Sequence, residues 1–217
     1  MSSKESQVIK TLYKNWVDTM HANPDLSLAD TRKMFEHWGD ITGEPGGVDY
    51  VEVDANGIKC LWAIPHDADT TRALLCTHGG GYMVGSMYSH RKMFGHIAKE
   101  IGCPALIVDY NLAPENVHPG PVNDCVTAYK WLLDTGVAPE HIAFTGDSAG
   151  GALAITTLLG ARNQGLPLPA ASLPISPWVD MEITGGTVTT NEDKDFFVKR
   201  SVIETMSGAF LGEGGNR

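Results

Sequence analysis

The stretch FTGDSAGG, residues 144–151, places a single serine among small residues. The apolar run HIAFTG leads into Asp147-Ser148, and the helical run AGGALAITTLLGAR follows at once. A strand, a sharp turn and a helix are the surroundings that a serine nucleophile requires, because the turn exposes the hydroxyl on a strained backbone. Gly146 and Gly150 would leave room there for the adjacent strand and helix. The alternative, a glycine-rich turn that binds phosphate, would need a Lys-Ser/Thr ending that this stretch lacks.

A second glycine-rich stretch, THGGGYMVGS at residues 77–86, follows the apolar run ALLCT. Acyl transfer creates an oxyanion, which is stabilised by backbone N–H groups held about 3 Å away. Consecutive glycines, Gly79 among them, would let bare backbone approach that oxyanion. We expect His78 to brace this loop through ring hydrogen bonds, and Asp147 to accept hydrogen bonds from N–H groups of the serine turn. Together the two stretches predict a nucleophile with an oxyanion hole.

The remaining chain indicates an α/β fold. Apolar spacing predicts helices at residues 5–21 and after the capping sequence SLAD, and Asn56-Gly57 between two β-like runs predicts a hairpin. Continuous apolar strands then alternate with helices, which is typical of a mostly parallel, doubly wound sheet covered on both faces. The predicted buried strands are 73–77, 104–110, 141–146 and 171–176, and the predicted helices between them are 88–101, 121–135 and 148–163.

Composition and sequence patterns make some partners unfavourable. The 217 residues carry a formal net charge of −10, which disfavours nucleic acid and anionic membranes as partners. The sequence contains no apolar stretch of the length that spans a membrane, and its N-terminus lacks the apolar core of a signal peptide. The four cysteines form no CxxC pair, so we expect reduced, mostly buried thiols and a cytoplasmic location. No metal or organic cofactor is implied.

Three motifs together resemble the hormone-sensitive-lipase-like branch of the α/β-hydrolases: HGGG at 78–81, DYNLAPE at 109–115 and GDSAGG at 146–151. SPWVDM at 176–181 also resembles the segment after the fifth parallel strand of that branch. The resemblance implies an α/β-hydrolase fold with an antiparallel N-terminal hairpin, in which residues 1–42 form part of a cap and residues 43–217 the hydrolase core. It further implies that the oxyanion N–H groups come from Gly80, Gly81 and Ala149. DYNLAPE departs from the family pattern at Asn111, where an arginine is usual, and we expect this segment to be structural.

The sequence shows no histidine partner for the serine, and the acidic residues that follow Ser148 do not lie in the family motif that carries the triad acid. In this fold the triad acid and histidine follow the nucleophile, yet all eight histidines precede Ser148. His90 and His96 lie six residues apart and do not share a helix face, so a metal site between them is not expected. The resemblance therefore leads us to expect that the sheet is incomplete at its C-terminal end and that the triad acid and histidine are not in this chain.

The predicted function is that of a serine carboxylesterase acting on short-to-medium acyl esters, with a small-molecule ester as its partner. A lactone hydrolase and a non-catalytic, receptor-like ligand-binding protein on the same scaffold remain as alternatives. The resemblance also allows a homodimer. Residues 1–217 alone are expected to be nearly inactive without a histidine base.

Overall fold

The computed structural model describes residues 3–215, which form a sheet flanked by helices. Two helices and a 3₁₀ turn come first, followed by a hairpin and then by alternating strands and helices. In chain order the elements are α1 (Lys4–Ala22), α2 (Leu28–Glu36), the 3₁₀ turn His37–Ile41, β1 (Val48–Ala55), β2 (Ile58–Pro65), β3 (Ala73–Thr77), α3 (Met87–Ile101), β4 (Ala105–Val108), α4 (Gly120–Asp134), β5 (Ile142–Asp147), α5 (Ala149–Asn163), β6 (Ala171–Ile175), α6 (Thr187–Thr190) and α7 (Arg200–Leu211).

Within these residues the sheet has six strands in the order β1-β2-β4-β3-β5-β6. β1 and β2 form the predicted antiparallel hairpin across Asn56-Gly57, and β2 is also antiparallel to β4. The pairs β3/β4, β3/β5 and β5/β6 are parallel. The predicted α/β class, with a mostly parallel sheet and an antiparallel N-terminal hairpin, is confirmed.

Buried side chains alternate between the two faces of the sheet, as a period of two requires. Leu75, Leu106 and Phe144 pack into the cluster that contains α4 and α5. Leu74, Cys76 and Ile107 pack into the cluster on the opposite face, which contains α3. All four cysteines are free and buried, as predicted. This doubly covered sheet fixes where the carboxyl ends of β3 and β5 lie, and both glycine-rich motifs follow those ends.

The prediction that residues 171–176 form a buried strand is wrong with respect to burial. β6 forms, but its residues alternate between exposed and half-buried, and Leu173 is 65% exposed. The physical reason is that, among the described residues, β6 has β5 as its sole strand neighbour and only α5 packs against it closely. α6 and α7 were not predicted.

The N-terminal helices pack beside the loops at the carboxyl edge of the sheet. Ser27 caps α2 by accepting a hydrogen bond from the Asp30 N–H at 3.1 Å, as the sequence SLAD predicts. Trp16 of α1 and Phe35 of α2 are buried against Val84, which lies just beyond the HGGG stretch. The two helices are therefore attached to the loop that the sequence analysis assigned to the oxyanion.

Candidate active site

Ser148 occupies the turn between β5 and α5 with a left-handed backbone, φ 53° and ψ −118°. Its N–H donates to the Ile175 carbonyl at 3.0 Å, and its carbonyl accepts from the Trp178 N–H at 2.9 Å. A non-glycine residue at positive φ carries strain that the surrounding structure must hold. These two hydrogen bonds join the turn to the end of β6 and to the segment that follows it, and so stabilise the strained backbone of Ser148.

Two glycines make this turn possible. A Cβ on Gly146 would lie 2.5 Å from the Gly150 carbonyl oxygen, and one on Gly150 would overlap the Thr77 carbonyl oxygen. The Thr77 hydroxyl donates to the Gly150 carbonyl at 2.7 Å, which ties the first turn of α5 to the end of β3. No side chain fits between strand and helix at these positions, so the turn requires glycine.

The glycine loop after β3 lies next to this turn because β3 and β5 are parallel neighbours, with Thr77 opposite Gly146. Gly80 and Gly81 have φ of 120° and 59°. The Gly80 carbonyl accepts from the N–H groups of Met83 and Val84, each at 3.1 Å, which closes the loop on itself. The structure thus brings Gly80 and Gly81 into the wall of the same cavity as Ser148.

His78 is fully buried at the base of the loop. Its Nδ1 lies 2.7 Å from the Gly79 carbonyl oxygen, so Nδ1 carries the proton and donates. Burial, reinforced by the neighbouring His90, lowers the pKa of His78 to about 3, so the ring is neutral. The ring stacks on Tyr110 at 4.3 Å between centroids, and the Tyr110 hydroxyl donates to the His78 carbonyl at 2.7 Å. His78 therefore contacts the backbone at the start of the loop.

Asp147 has a different partner from the one that the sequence analysis predicted. Its Oδ1 accepts a hydrogen bond at 3.0 Å from the Gly79 N–H of the glycine loop, and not from N–H groups of the serine turn. Burial opposes ionisation of Asp147, but the neighbouring His90 ring and the Gly79 N–H together hold the pKa of the carboxyl below its ordinary value. The side chain is therefore a carboxylate that joins the two motifs.

The DYNLAPE segment packs beside the glycine loop, where the Ala113 N–H donates to the Tyr82 carbonyl at 2.8 Å. The Asn111 N–H and side-chain amide both donate to Asp124 Oδ2, at 2.9 and 3.0 Å. Glu115, the last residue of the motif, accepts two hydrogen bonds from Arg32 of α2, at 2.8 and 2.6 Å. The contacts of this segment are with neighbouring backbone and side chains rather than with the cavity.

A cavity of about 830 Å³ opens in front of Ser148. Among the described residues its wall contains no histidine, and aromatic rings from the N-terminal helices and from the segment before α7 form much of it. Tyr13 of α1 stacks on Phe197 at 5.0 Å between centroids. From α7, Met206 lies so close to Gly81 that a Cβ on that glycine would overlap its sulfur. The site is an apolar chamber with a nucleophile candidate on one wall.

Arg32 ties α2 to the glycine loop and to the DYNLAPE segment. Its guanidinium donates to the carbonyls of Met83 and Ala113 at 2.8 and 2.9 Å, in addition to the Glu115 pair. Arg32→Met would leave those carbonyls without this donor, at a cost of about 1–3 kcal/mol. We expect the midpoint of thermal unfolding to fall by roughly 3–8 °C, measured by circular dichroism.

The neighbouring Lys33 gives the matched control for that substitution. Its side chain is 78% exposed, and its ammonium pairs with Asp30 on the same helix at 3.0 Å, with no other ion pair among residues 3–215. Lys33→Met should change the unfolding free energy by no more than about 0.5 kcal/mol. Equal midpoints for the two variants would contradict the anchoring role of Arg32.

The fold and this site define the class of the protein. Residues 74–217 match the family described as alpha/beta hydrolase fold. The chain belongs to that family, and its relatives place it among the hormone-sensitive-lipase-like α/β-hydrolases.

Three relatives show how similar this chain is to known proteins. The chain is 32% identical over 212 residues to an acetyl-hydrolase of Streptomyces hygroscopicus, covering 97% of this chain and 69% of that one. It is 34% identical over 167 residues to the hormone-sensitive lipase of Homo sapiens, covering 74% of this chain and 16% of that one. The crystal structure of an esterase from the bacterial hormone-sensitive lipase family superposes with a TM-score of 0.91 at 37% identity, covering 99% of this chain and 71% of that one.

The same matches show that each of these relatives is longer than the region it shares with this chain.

Among the described residues, no helix is both long and apolar enough to cross a membrane.

The sequence analysis missed one buried polar side chain at this site, His90 of α3. The other histidines apart from His78 are exposed, whereas His90 is 5% exposed and its Nε2 lies 3.5 Å from Asp147 Oδ2. The missed signal is its spacing: Met87 and Phe94 lie three and four residues away on α3 and are both buried. A histidine on an apolar helix face needs polar partners, and here these are the Ser89 hydroxyl and Asp147.

Proposed function

We propose that the protein is a serine carboxylesterase that hydrolyses short-to-medium acyl esters through an acyl-enzyme on Ser148. The observation that carries the proposal is the meeting of two loops: the strained Ser148 turn and the Gly80–Gly81 loop leave neighbouring parallel strands and face one apolar cavity. A phosphate-binding or redox role would leave this combination unexplained.

In the proposed reaction the Ser148 oxygen attacks the ester carbonyl carbon, and the carbonyl oxygen becomes an oxyanion. The N–H groups of Gly80, Gly81 and Ala149 stabilise that charge, and Ala149 is suited to this because the first N–H groups of α5 have no intrahelical acceptor. The alcohol then leaves with a proton, water attacks the acyl-serine, and the acid is released. The nucleophile and the oxyanion donors thus come from residues 80–149.

The proton of Ser148 must pass to a base. No histidine follows Ser148 in the sequence, and the two buried histidines, His78 and His90, are engaged with Gly79 and Asp147. The relatives are longer than the regions they share with this chain. We therefore propose that a histidine outside residues 1–217, oriented by a carboxylate, serves as the base.

Substrate choice follows from the wall of the cavity. Tyr13, Phe35 and Trp38 contribute aromatic surface from the N-terminal helices, which supports the proposal that residues 1–42 form part of a cap over the site. Apolar walls favour aliphatic or aromatic groups on either side of the ester, and the enclosed volume is in the ordinary range for a small-molecule site.

The experiment is a chain-length profile on the complete protein. We expect hydrolysis of p-nitrophenyl acetate, butyrate and octanoate, with kcat/KM falling sharply for the palmitate ester. A panel of lactones, measured in parallel, distinguishes a lactonase. Saturable binding of these ligands without turnover would instead indicate a receptor-like protein and would refute the esterase proposal.

A further inference from the structure

The two oxygens of Asp147 have different partners. Oδ1 accepts the Gly79 N–H at 3.0 Å, and Oδ2 lies 3.5 Å from Nε2 of His90. Gly79 immediately precedes the two glycines whose N–H groups are proposed to bind the oxyanion. A movement of this carboxylate would therefore move the peptide that leads into Gly80.

His90 is held on three sides. Its Nδ1 lies 2.9 Å from the Ser89 hydroxyl, and its ring contacts Trp38 edge-on at 5.1 Å and His78 at 5.5 Å between centroids. Because a carboxylate only accepts hydrogen bonds, Nε2 must carry the proton in the contact with Asp147. The Ser89 hydroxyl fits either charge state of the ring at Nδ1. If the ring is neutral, the hydroxyl donates to Nδ1. If the ring is charged, the hydroxyl accepts from Nδ1 and donates to the Ser86 carbonyl at 3.0 Å. In both arrangements Nε2 carries a proton, and it lies 3.5 Å from Asp147 Oδ2.

We propose that His90 and Asp147 form a positioning pair that sets the oxyanion loop, with His90 orienting the carboxylate and the carboxylate fixing the Gly79 N–H. The inference rests on the proposed esterase function. It assigns a role to a histidine that does not itself line the cavity but contacts two residues that do, Trp38 and Asp147. Trp38 lies in that wall and also contacts His90, so the same pair links the loop to the N-terminal helices.

Simple packing does not account for this arrangement. An imidazole that is 5% exposed and a carboxylate whose side chain is 21% exposed are costly to bury unless each satisfies the other. An apolar side chain would fill position 90 without that cost. The Gly79 peptide also touches the carboxylate closely, since a Cβ on Gly79 would lie 3.1 Å from the Asp147 carbonyl oxygen and would overlap its Oδ2.

Two variants of the complete protein separate positioning from packing. His90→Phe keeps an aromatic ring against Trp38 but removes both nitrogens, and we expect kcat for p-nitrophenyl butyrate to fall about 10- to 100-fold with KM changed less than about threefold. His90→Gln restores a donor near the place of Nε2, and we expect it to recover most of the lost kcat. His96→Phe and His96→Gln are the matched controls, because His96 is exposed on the same helix and its Nε2 lies 3.0 Å from the Gly43 carbonyl oxygen, away from Asp147.

A second readout does not depend on activity. The Gly79 amide resonance, assigned by ¹H–¹⁵N NMR, should move upfield in His90→Phe as its hydrogen bond to the carboxylate weakens, and should stay in place in both His96 variants. Wild-type kcat together with an unshifted Gly79 resonance in a folded His90→Phe protein would overturn the proposal. If the wild type hydrolyses no ester, the esterase proposal fails, and the Gly79 resonance alone still decides whether the pair positions the loop.

Discussion

Ser148→Ala in the complete protein is expected to lower kcat for p-nitrophenyl butyrate by about a million-fold, the scale at which serine hydrolases lose activity when the nucleophile is removed. The physical reason is that the acyl-enzyme cannot form without the hydroxyl, whatever the oxyanion loop contributes. Alanine tolerates φ 53° about as poorly as serine does, and the Ile175 and Trp178 hydrogen bonds use only backbone atoms. The fold should therefore survive, as thermal unfolding would show.

Ser6→Ala is the matched control for this loss. Ser6 lines the same cavity, on α1, and its hydroxyl donates to the Ser3 carbonyl at 2.8 Å. Because Ser6 is exposed and its hydroxyl bonds at the start of α1, its removal should leave kcat within about twofold. Near-normal turnover by Ser148→Ala would show that another group attacks the ester.

The second large effect is expected at Gly80, where valine should lower kcat by about 10²- to 10³-fold, the cost of losing one oxyanion donor. A Cβ there would overlap the Val84 carbonyl oxygen, and a β-branched residue is strained at φ 120°. The backbone of the loop must therefore move. Because the N–H groups act mainly in the transition state, KM should change far less than kcat.

Two further glycines sharpen this experiment. At Gly81 a new Cβ would meet Met206 Sδ, the end of a flexible side chain, so Gly81→Ala should cost less than Gly80→Val. Gly186 has no atom within 4 Å of a built Cβ and has φ −58°, so Gly186→Val should leave kcat unchanged. If kcat were the same for all three variants in folded protein, the loop would have a purpose other than oxyanion binding.

Local sequence patterns were enough to predict the strand–turn–helix around Ser148, the Asn56-Gly57 hairpin and the strands beneath the site. Each depends on the order of a few neighbouring residues: glycines flanking a serine, a turn dipeptide, or a continuous apolar run. α7 was missed even though Val202, Met206 and Phe210 repeat at helical spacing. Glycines at positions 208, 212, 214 and 215 made this segment resemble a loop.

The contacts of Asp147 could not be predicted in the same way. Gly79 and Asp147 are 68 residues apart, and only the parallel pairing of β3 with β5 brings them together. The position of β6 as the last described strand likewise depends on sheet order, which no local pattern encodes. Long-range topology, rather than residue preference, decided these features.

The pairing of β3 with β5 also bears on how the site appears during folding. Its two loops are joined through contacts between distant parts of the chain, and Arg32 adds another between α2 and Glu115, 83 residues away. Closing such long loops is entropically costly, and folds dominated by non-local contacts form slowly. The helices can gain structure early, but the loop that begins at Gly79 also depends on the Asp147 carboxylate, 68 residues away. Competence to react at Ser148 should therefore be among the last properties acquired on refolding, which makes the rate of its recovery a measure of completed sheet assembly.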